Sequence, residues 1–273
     1  MVAFIVDSSF DKPDVELKYP IFYAPLRVYI DGREYIDKEN LTVDDFYGML
    51  DKAETFSTSL PNPKETEDLL KKLLESYEHV YMLSISSKLS GTYNMFKAIS
   101  APYKDRVTVL DLKSASVELY VLYRGIVHYL EKGVKITQEL VDELRKNTKL
   151  LFGVMSLKYL EKGGRIGKAK ALLGRILKIK PILSVDSDGT VELVAKDRKF
   201  SGVVDKIIEL GEDFIKKQGI KKPYILAGYG SQKYKKYLDR LIEHFNIKDI
   251  AQISAAVGVH TGPEVFGIVI GQF

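Results

Sequence analysis

An apolar run, Val80-Tyr81-Met82-Leu83-Ser84-Ile85, passes directly into Ser86-Ser87-Lys88-Leu89-Ser90-Gly91-Thr92-Tyr93, and a helix-forming stretch over 93–101 follows. A short apolar run bounded by small polar residues reads as a buried strand. A buried strand that feeds a tight polar turn and then a helix is the repeating step of a parallel α/β sheet. In open α/β sheets ligands bind in the crevice beyond the carboxyl ends of the strands. A helix start adds free N–H groups and the positive end of the helix dipole, and both favour an anion. Ser90 stands at the expected N-cap, where its hydroxyl can serve either the helix or a ligand.

The same alternation runs through the first half of the chain. Residues 2–6 form a first strand that ends in Asp7-Ser8-Ser9. Residues 21–30 and 33–36 flank Asp31-Gly32, a strong hairpin signal, and the hairpin reads as an excursion from the sheet. A short helix opens near Asn40, and Thr58-Ser59 lie in a hydroxyl-rich loop over 56–63 that two prolines stiffen. An amphipathic helix over 64–78, a strand over 107–111, helices over 119–130 and 137–147, and a strand over 150–155 follow. This pattern predicts an N-terminal Rossmann-like parallel sheet with a hairpin excursion, residues 1–155.

The pattern then changes. A short helix over 157–166 closes on Gly163-Gly164, and a second helix covers 168–177. Strands over 179–185 and 191–195 flank Asp186-Ser187-Asp188-Gly189-Thr190, a second hairpin. A long helix over 200–218, a strand over 224–229, a helix over 232–245 and strands over 250–253 and 265–270 complete the chain. Hairpins mixed with long helices predict a C-terminal α+β domain on a mixed or antiparallel sheet, residues 156–273. The fold class is therefore α/β in two domains. No flexible linker separates them, and the ligand is expected in the cleft between them.

Composition removes several chemistries. The 273 residues contain no cysteine, so thiol nucleophiles, disulfides and cysteine-based metal sites are excluded. The four histidines, His79, His128, His244 and His260, show no metal-ligand spacing, and no metal site is expected. A net charge of +4 does not point to nucleic acid. One run is basic: Lys158, Lys162, Arg165, Lys168, Lys170, Arg175, Lys178 and Lys180 stand against Glu161 alone. Such a run is ordinarily a solvated face, and an anionic partner surface is the other reading. No stretch approaches the roughly 20 apolar residues that span a bilayer, so stable membrane insertion is not expected. The N-terminus reaches Asp7 too early for a signal peptide, which predicts a cytoplasmic protein.

Four polar clusters carry the remaining chemistry: Thr58-Ser59, Ser90-Gly91-Thr92, Gly163-Gly164-Arg165, and Val259-His260-Thr261-Gly262-Pro263. Hydroxyls and helix N–H groups donate to a carboxylate or phosphate oxygen without adding formal charge. His260, in an expected loop between glycines, is suited to face a cleft, and the Arg165 fork suits an oxyanion. No catalytic motif emerges. The enzymatic alternative is a hydrolase or transferase acting on a small anionic substrate, with Ser90 as nucleophile and His260 as base.

Several segments, taken in order, resemble the DegV family. They are Asp7-Ser8-Ser9, Thr58-Ser59-Leu60-Pro61, Ser86-Ser87-Lys88-Leu89-Ser90-Gly91-Thr92-Tyr93, residues 157–166 with Gly163-Gly164-Arg165-Ile166, Lys178-Ile179-Lys180-Pro181-Ile182-Leu183, Lys196-Asp197-Arg198 and Gly258-Val259-His260-Thr261-Gly262-Pro263. The family resembles the fatty-acid-binding subunits of bacterial fatty acid kinase. The resemblance implies a non-enzymatic carrier without a cofactor, holding a long-chain fatty acid such as palmitate inside a two-domain α/β fold. It implies that Thr58 and Ser90 bind the carboxylate with His260 close by, and the expected ligand-binding set is Thr58, Ser59, Ser90, Gly91, Thr92 and His260. It further implies that Arg165 and Arg198 serve phosphorylation or docking of a separate, dihydroxyacetone-kinase-like kinase subunit. The chain departs from the family pattern at Leu60 and Asn62, at Ser116-Val117-Glu118-Leu119, and at Glu264.

Overall fold

The computed structural model describes residues 1–172 and 179–273. Strand β1 (Val2–Asp7) is buried from Ala3 onward, as a central strand covered on both faces must be. The expected strand over 21–30 divides at Pro25, whose ring removes a ladder donor. Its first part, β2 (Ile21–Ala24), lies parallel to β1 and so belongs to the sheet. Its second part, β3 (Arg27–Ile30), turns through Asp31-Gly32 into β4 (Arg33–Ile36). Both turn residues have positive φ, 48° and 79°, the geometry that makes Asp-Gly the favoured pair for a two-residue hairpin loop.

Helix α1 (Val43–Leu50) starts at Thr42, whose side chain accepts from Asp45 N. The stretch expected as a loop is strand β5 (Phe56–Ser59), antiparallel to β3, and completes a three-stranded sheet in the order β4-β3-β5. Its Ser-Thr-Ser content concealed it, because an edge strand with one exposed face need not be apolar. Helix α2 (Pro63–Ser76), strand β6 (His79–Ser84), helix α3 (Thr92–Ser100) and strand β7 (Val107–Asp111) complete the parallel sheet, in the order β2-β1-β6-β7.

Helix α4 (Val117–Glu131) forms the layer between the sheets. Each residue from Val117 to Tyr123 is buried, and Glu118, the one charged residue among them, is paired with Arg145. One continuous core joins Phe4, Val6 and Leu83 of the parallel sheet to α4, and α4 to Leu150, Phe152, Leu226 and Val269 beyond it. Helix α5 (Gln138–Lys146), capped by Thr137, leads into β8 (Thr148–Gly153). The alternation assigned β8 to the parallel sheet. It lies instead in a six-stranded sheet, because Leu150-Leu151-Phe152 is apolar on both faces and such a run does not reveal which buried sheet receives it.

The chain continues through helix α6 (Lys158–Lys162) and a 3-10 segment, Gly167–Leu172. The rest of the expected 168–177 helix lies outside the described residues. Strands β9 (Lys180–Val185) and β10 (Val191–Asp197), helix α7 (Phe200–Gln218) and strand β11 (Tyr224–Tyr229) follow. The expected 232–245 helix begins as a 3-10 segment before α8 (Asp239–Phe245). After β12 (Asp249–Gln252) comes helix α9 (Ala255–Thr261), where a loop was expected, and then β13 (Phe266–Gly271). Gly258 obscured α9 in the sequence. It is there for packing: a Cβ at that position would lie 2.5 Å from Phe46 of α1. The second sheet is mixed, in the order β10-β9-β8-β13-β11-β12, with only β11 and β12 parallel. Among the described residues no helix is long and apolar enough to cross a membrane.

Candidate functional site

Between the two sheets runs a channel enclosing about 870 Å³ of space, part of it open to solvent. Its walls are largely aliphatic. Leu26, Ile85 and Leu89 come from the first half of the chain, Val117 from α4, and Leu150, Phe152, Val185 and Val265 from the second sheet. The polar lining residues are Ser9, Thr58, Ser90, Ser116, Arg165, His260 and Thr261. Among the described residues no aspartate or glutamate lines the channel, and Arg165 is the one charged side chain that does.

Strand β5 alternates, so Thr58 faces the channel while Ser59 points outward, 3.4 Å from the Tyr29 hydroxyl. Thr58 Oγ1 and His260 Nε2 are hydrogen-bonded at 2.8 Å. His260 projects from the last turn of α9, not from a loop. Its Nδ1 is buried without a partner and faces Gly163, where a Cβ would lie 2.1 Å away. Burial, reinforced by the positive charge of Arg165, lowers the His260 pKa to about 4, so the imidazole is neutral at physiological pH. In the tautomer that carries its proton on Nε2, the imidazole donates to Thr58 Oγ1. The Thr58 O–H is then left to donate elsewhere.

The Ser90 turn is built differently from the expectation. Gly91, not Ser90, is the N-cap of α3, and it makes no side-chain cap. Ser90 Oγ accepts from Thr92 N at 3.3 Å and is bonded to Thr92 Oγ1 at 2.9 Å. With the buried Thr92 hydroxyl donating, the Ser90 O–H is free for the channel. Gly91 itself packs on Leu60, with a Cβ position 3.4 Å from its Cδ1, and neither Gly91 nor Thr92 lines the channel. Asp7 fixes the same turn from below by accepting from Ile85 N at 2.7 Å and from Ser9 N at 3.0 Å. Ser86 crosses to the other half and donates to Gly189 O at 2.7 Å.

Arg165 also bridges the halves. Its Nε donates to Leu89 O at 3.0 Å and its Nη1 to Gly163 O at 2.6 Å. Arg198 is exposed just past β10 and does not line the channel. The basic run over 158–180 is not one free face: Lys162 donates to Glu54 O at 2.7 Å and Lys168 pairs with Asp186 at 2.6 Å. Arg175 and Lys178 lie outside the described residues. Ser90 and His260 are not hydrogen-bonded to each other, and no carboxylate bonds the imidazole, so the nucleophile–base arrangement is not formed. No three His, Cys, Asp or Glu residues converge as metal ligands among the described residues.

Sequence reasoning missed the two buried carboxylates that hold the start of α9 and the lysine beside them. Asp11 accepts from Ser254 N at 3.1 Å and from Ser116 Oγ at 2.7 Å. Asp37 accepts from Ala256 N at 3.3 Å. Lys38 reaches Phe10 O at 2.9 Å and lies 3.4 Å from Asp11. Burial raises the pKa of Asp11 against the pull of Lys38, and raises that of Asp37 to about 6. Ser9 and Ser116 were also missed as lining residues. Ser9 follows the strand-end rule that selected Ser90, whereas Ser116 takes a positive φ of 57° that nothing in its type announces.

A parallel sheet and a mixed sheet, joined through a buried helix and enclosing an apolar channel with hydroxyls and, among the described residues, one guanidinium in its lining, define a two-sheet α/β protein. The chain belongs to the DegV family, whose description is of uncharacterised proteins and whose model matches residues 1–272. It is 33% identical over 276 residues to a DegV domain-containing protein of Clostridium acetobutylicum, covering 98% of each chain. Among solved structures, a fatty-acid-binding DegV family protein from Thermus thermophilus superposes with a TM-score of 0.90 at 26% identity, over 100% of this chain and 99% of that one. A stearic-acid-binding protein from Eubacterium ventriosum superposes with a TM-score of 0.87, also at 26% identity, over 100% and 98%.

Proposed function

We propose that this protein is a cytoplasmic carrier of one long-chain fatty acid, which it holds in the channel and offers, carboxylate outward, to a separate kinase subunit for acyl-phosphate formation. The observation that carries the reading is the channel lining: aliphatic along most of its walls, acid-free, with the Thr58, Ser90 and His260 group and Arg165 among its polar members. Each buried methylene contributes about 0.8 kcal/mol, so the tail supplies most of the affinity. The Thr58 and Ser90 hydroxyls, hydrogen-bonded to His260 and to Thr92, and the Arg165 guanidinium orient an anionic head. The similarity to the Thermus and Eubacterium fatty-acid binders supports the same ligand class. Arg165 sits where it can meet charge on the head, and exposed Arg198 is suited to the partner. The division into units of residues 1–155 and 156–273 is part of this proposal, although by its pairing β8 goes with the second unit.

Mass spectrometry of natively purified, then denatured, protein tests the reading: it should release a fatty acid. Empty protein that also takes up neither palmitate nor oleate refutes it. Incubation with a cognate kinase and ATP should then yield acyl phosphate, and its absence with loaded carrier would remove the presentation role alone.

A further inference from the structure

Across the channel face of the second sheet one register row reads Leu183, Phe152, Gly267, Gly228, Ala251. Two facing glycines in the centre of a sheet weaken it, and strand glycines commonly mark a place where a ligand or another backbone comes close. Neither has a positive φ, so neither is there for its conformation. The two differ in what surrounds them. A Cβ on Gly267 would lie 2.2 Å from Leu151 O and 2.7 Å from Phe152 Cα, so the neighbouring backbone accounts for that glycine. A Cβ on Gly228 would meet side chains only: Val117 Cγ1 at 3.1 Å, Val117 Cγ2 at 3.5 Å and Ile253 Cδ1 at 3.8 Å. Gly228, Val117 and Ile253 all line the channel. No backbone contact asks for glycine at this position. What the missing side chain makes room for is Val117, on the first turn of α4, standing directly against the β11 backbone beside the channel.

We infer that Gly228 is a specificity-determining residue: its bare backbone, opposite Val117, sets how long a tail the channel admits. The inference rests on the fatty-acid reading and adds which wall measures the chain. A methyl group at Gly228 pushes Val117 aside, and the displaced Val117 narrows the channel at that row. Tails too short to reach the row are unaffected, and longer ones must leave methylenes outside or bend.

The test uses the full chain, stripped of lipid, and the affinities of saturated acids from decanoic to eicosanoic. Gly228→Ala should lower affinity for the long acids by about fourfold for each methylene displaced, leave the short acids unchanged, and move the preferred length downward. Val117→Ala should move it upward, and the double variant should return towards the wild-type profile. Val117→Leu narrows the same space from the helix side and keeps the test open if Gly228→Ala does not fold. A folded Gly228→Ala or Val117→Leu whose length profile parallels wild type overturns the inference while leaving the carrier reading intact. Wild-type protein that binds none of the acids removes both.

Discussion

Helix α9 has a titrating group at each end, and the two act with opposite sign. His260, in its last turn, is lowered from 6.5 to about 4 by burial and then by Arg165. A depressed folded pKa means stability that is complete above 6.5 and is lost as pH falls through about 4. At 1.36 kcal/mol per pKa unit this is about 3 kcal/mol. Asp37, bonded to Ala256 N at the other end, is raised from 3.8 to about 6 by burial. Its contribution is complete below 3.8 and is lost as pH rises through about 6, again by about 3 kcal/mol. Between about pH 4 and 6.5 the two slopes oppose each other, so deleting one exposes the other. Urea denaturation of wild type, His260→Gln and Asp37→Asn at closely spaced pH values reads this directly, because shared groups cancel in the differences. The advantage of wild type over His260→Gln should shrink by about 3 kcal/mol from neutral pH down to about 4, and its advantage over Asp37→Asn should grow over the same range. Difference curves that are flat, or that slope the same way, would refute the assignment of these two groups.

Gly163→Ala would bring a Cβ to 2.1 Å from His260 Nδ1. The displaced imidazole should lose Thr58, with about 1–3 kcal/mol of stability gone in melting curves and bound lipid lost; retention of both would contradict the packing described. Arg165→Ala removes charged bonds to Leu89 O and Gly163 O and should cost about 1.5–3 kcal/mol, while an NMR titration should find the His260 pKa moved upward. Arg198→Ala, at an exposed position, should change stability by less than about 0.5 kcal/mol and leave lipid loading alone, so that any effect falls on acyl-phosphate formation with a kinase.

The strand-end rule found the Ser90 turn, and Asp31-Gly32 found its hairpin, because both signals are local: a run that stops, and a pair of residues able to take positive φ. Helix α7 and strand β11 were legible to the residue, since a long amphipathic period and a pure apolar run leave no competing reading. Partner choice was not legible. Nothing in Leu150-Leu151-Phe152 distinguishes a parallel from a mixed sheet, and Pro25 was the one residue that marked the division of the 21–30 strand. At the site, Thr58 and Ser59 look equivalent in sequence, and only the pleat of β5 separates the channel-facing residue from the outward one. Asp11, Asp37 and Lys38 had no signature at all, because their importance depends on a helix that arrives more than two hundred residues later.

That late-arriving helix also bears on how fast a guest can come and go. Asp11 and Asp37 from the first half hold the opening N–H groups around α9, and Arg165 and Ser86 tie the halves again through Leu89 and Gly189. Swinging the two sheets apart would break all of these at once. Movement of side chains at the channel mouth, by contrast, breaks none of these bonds.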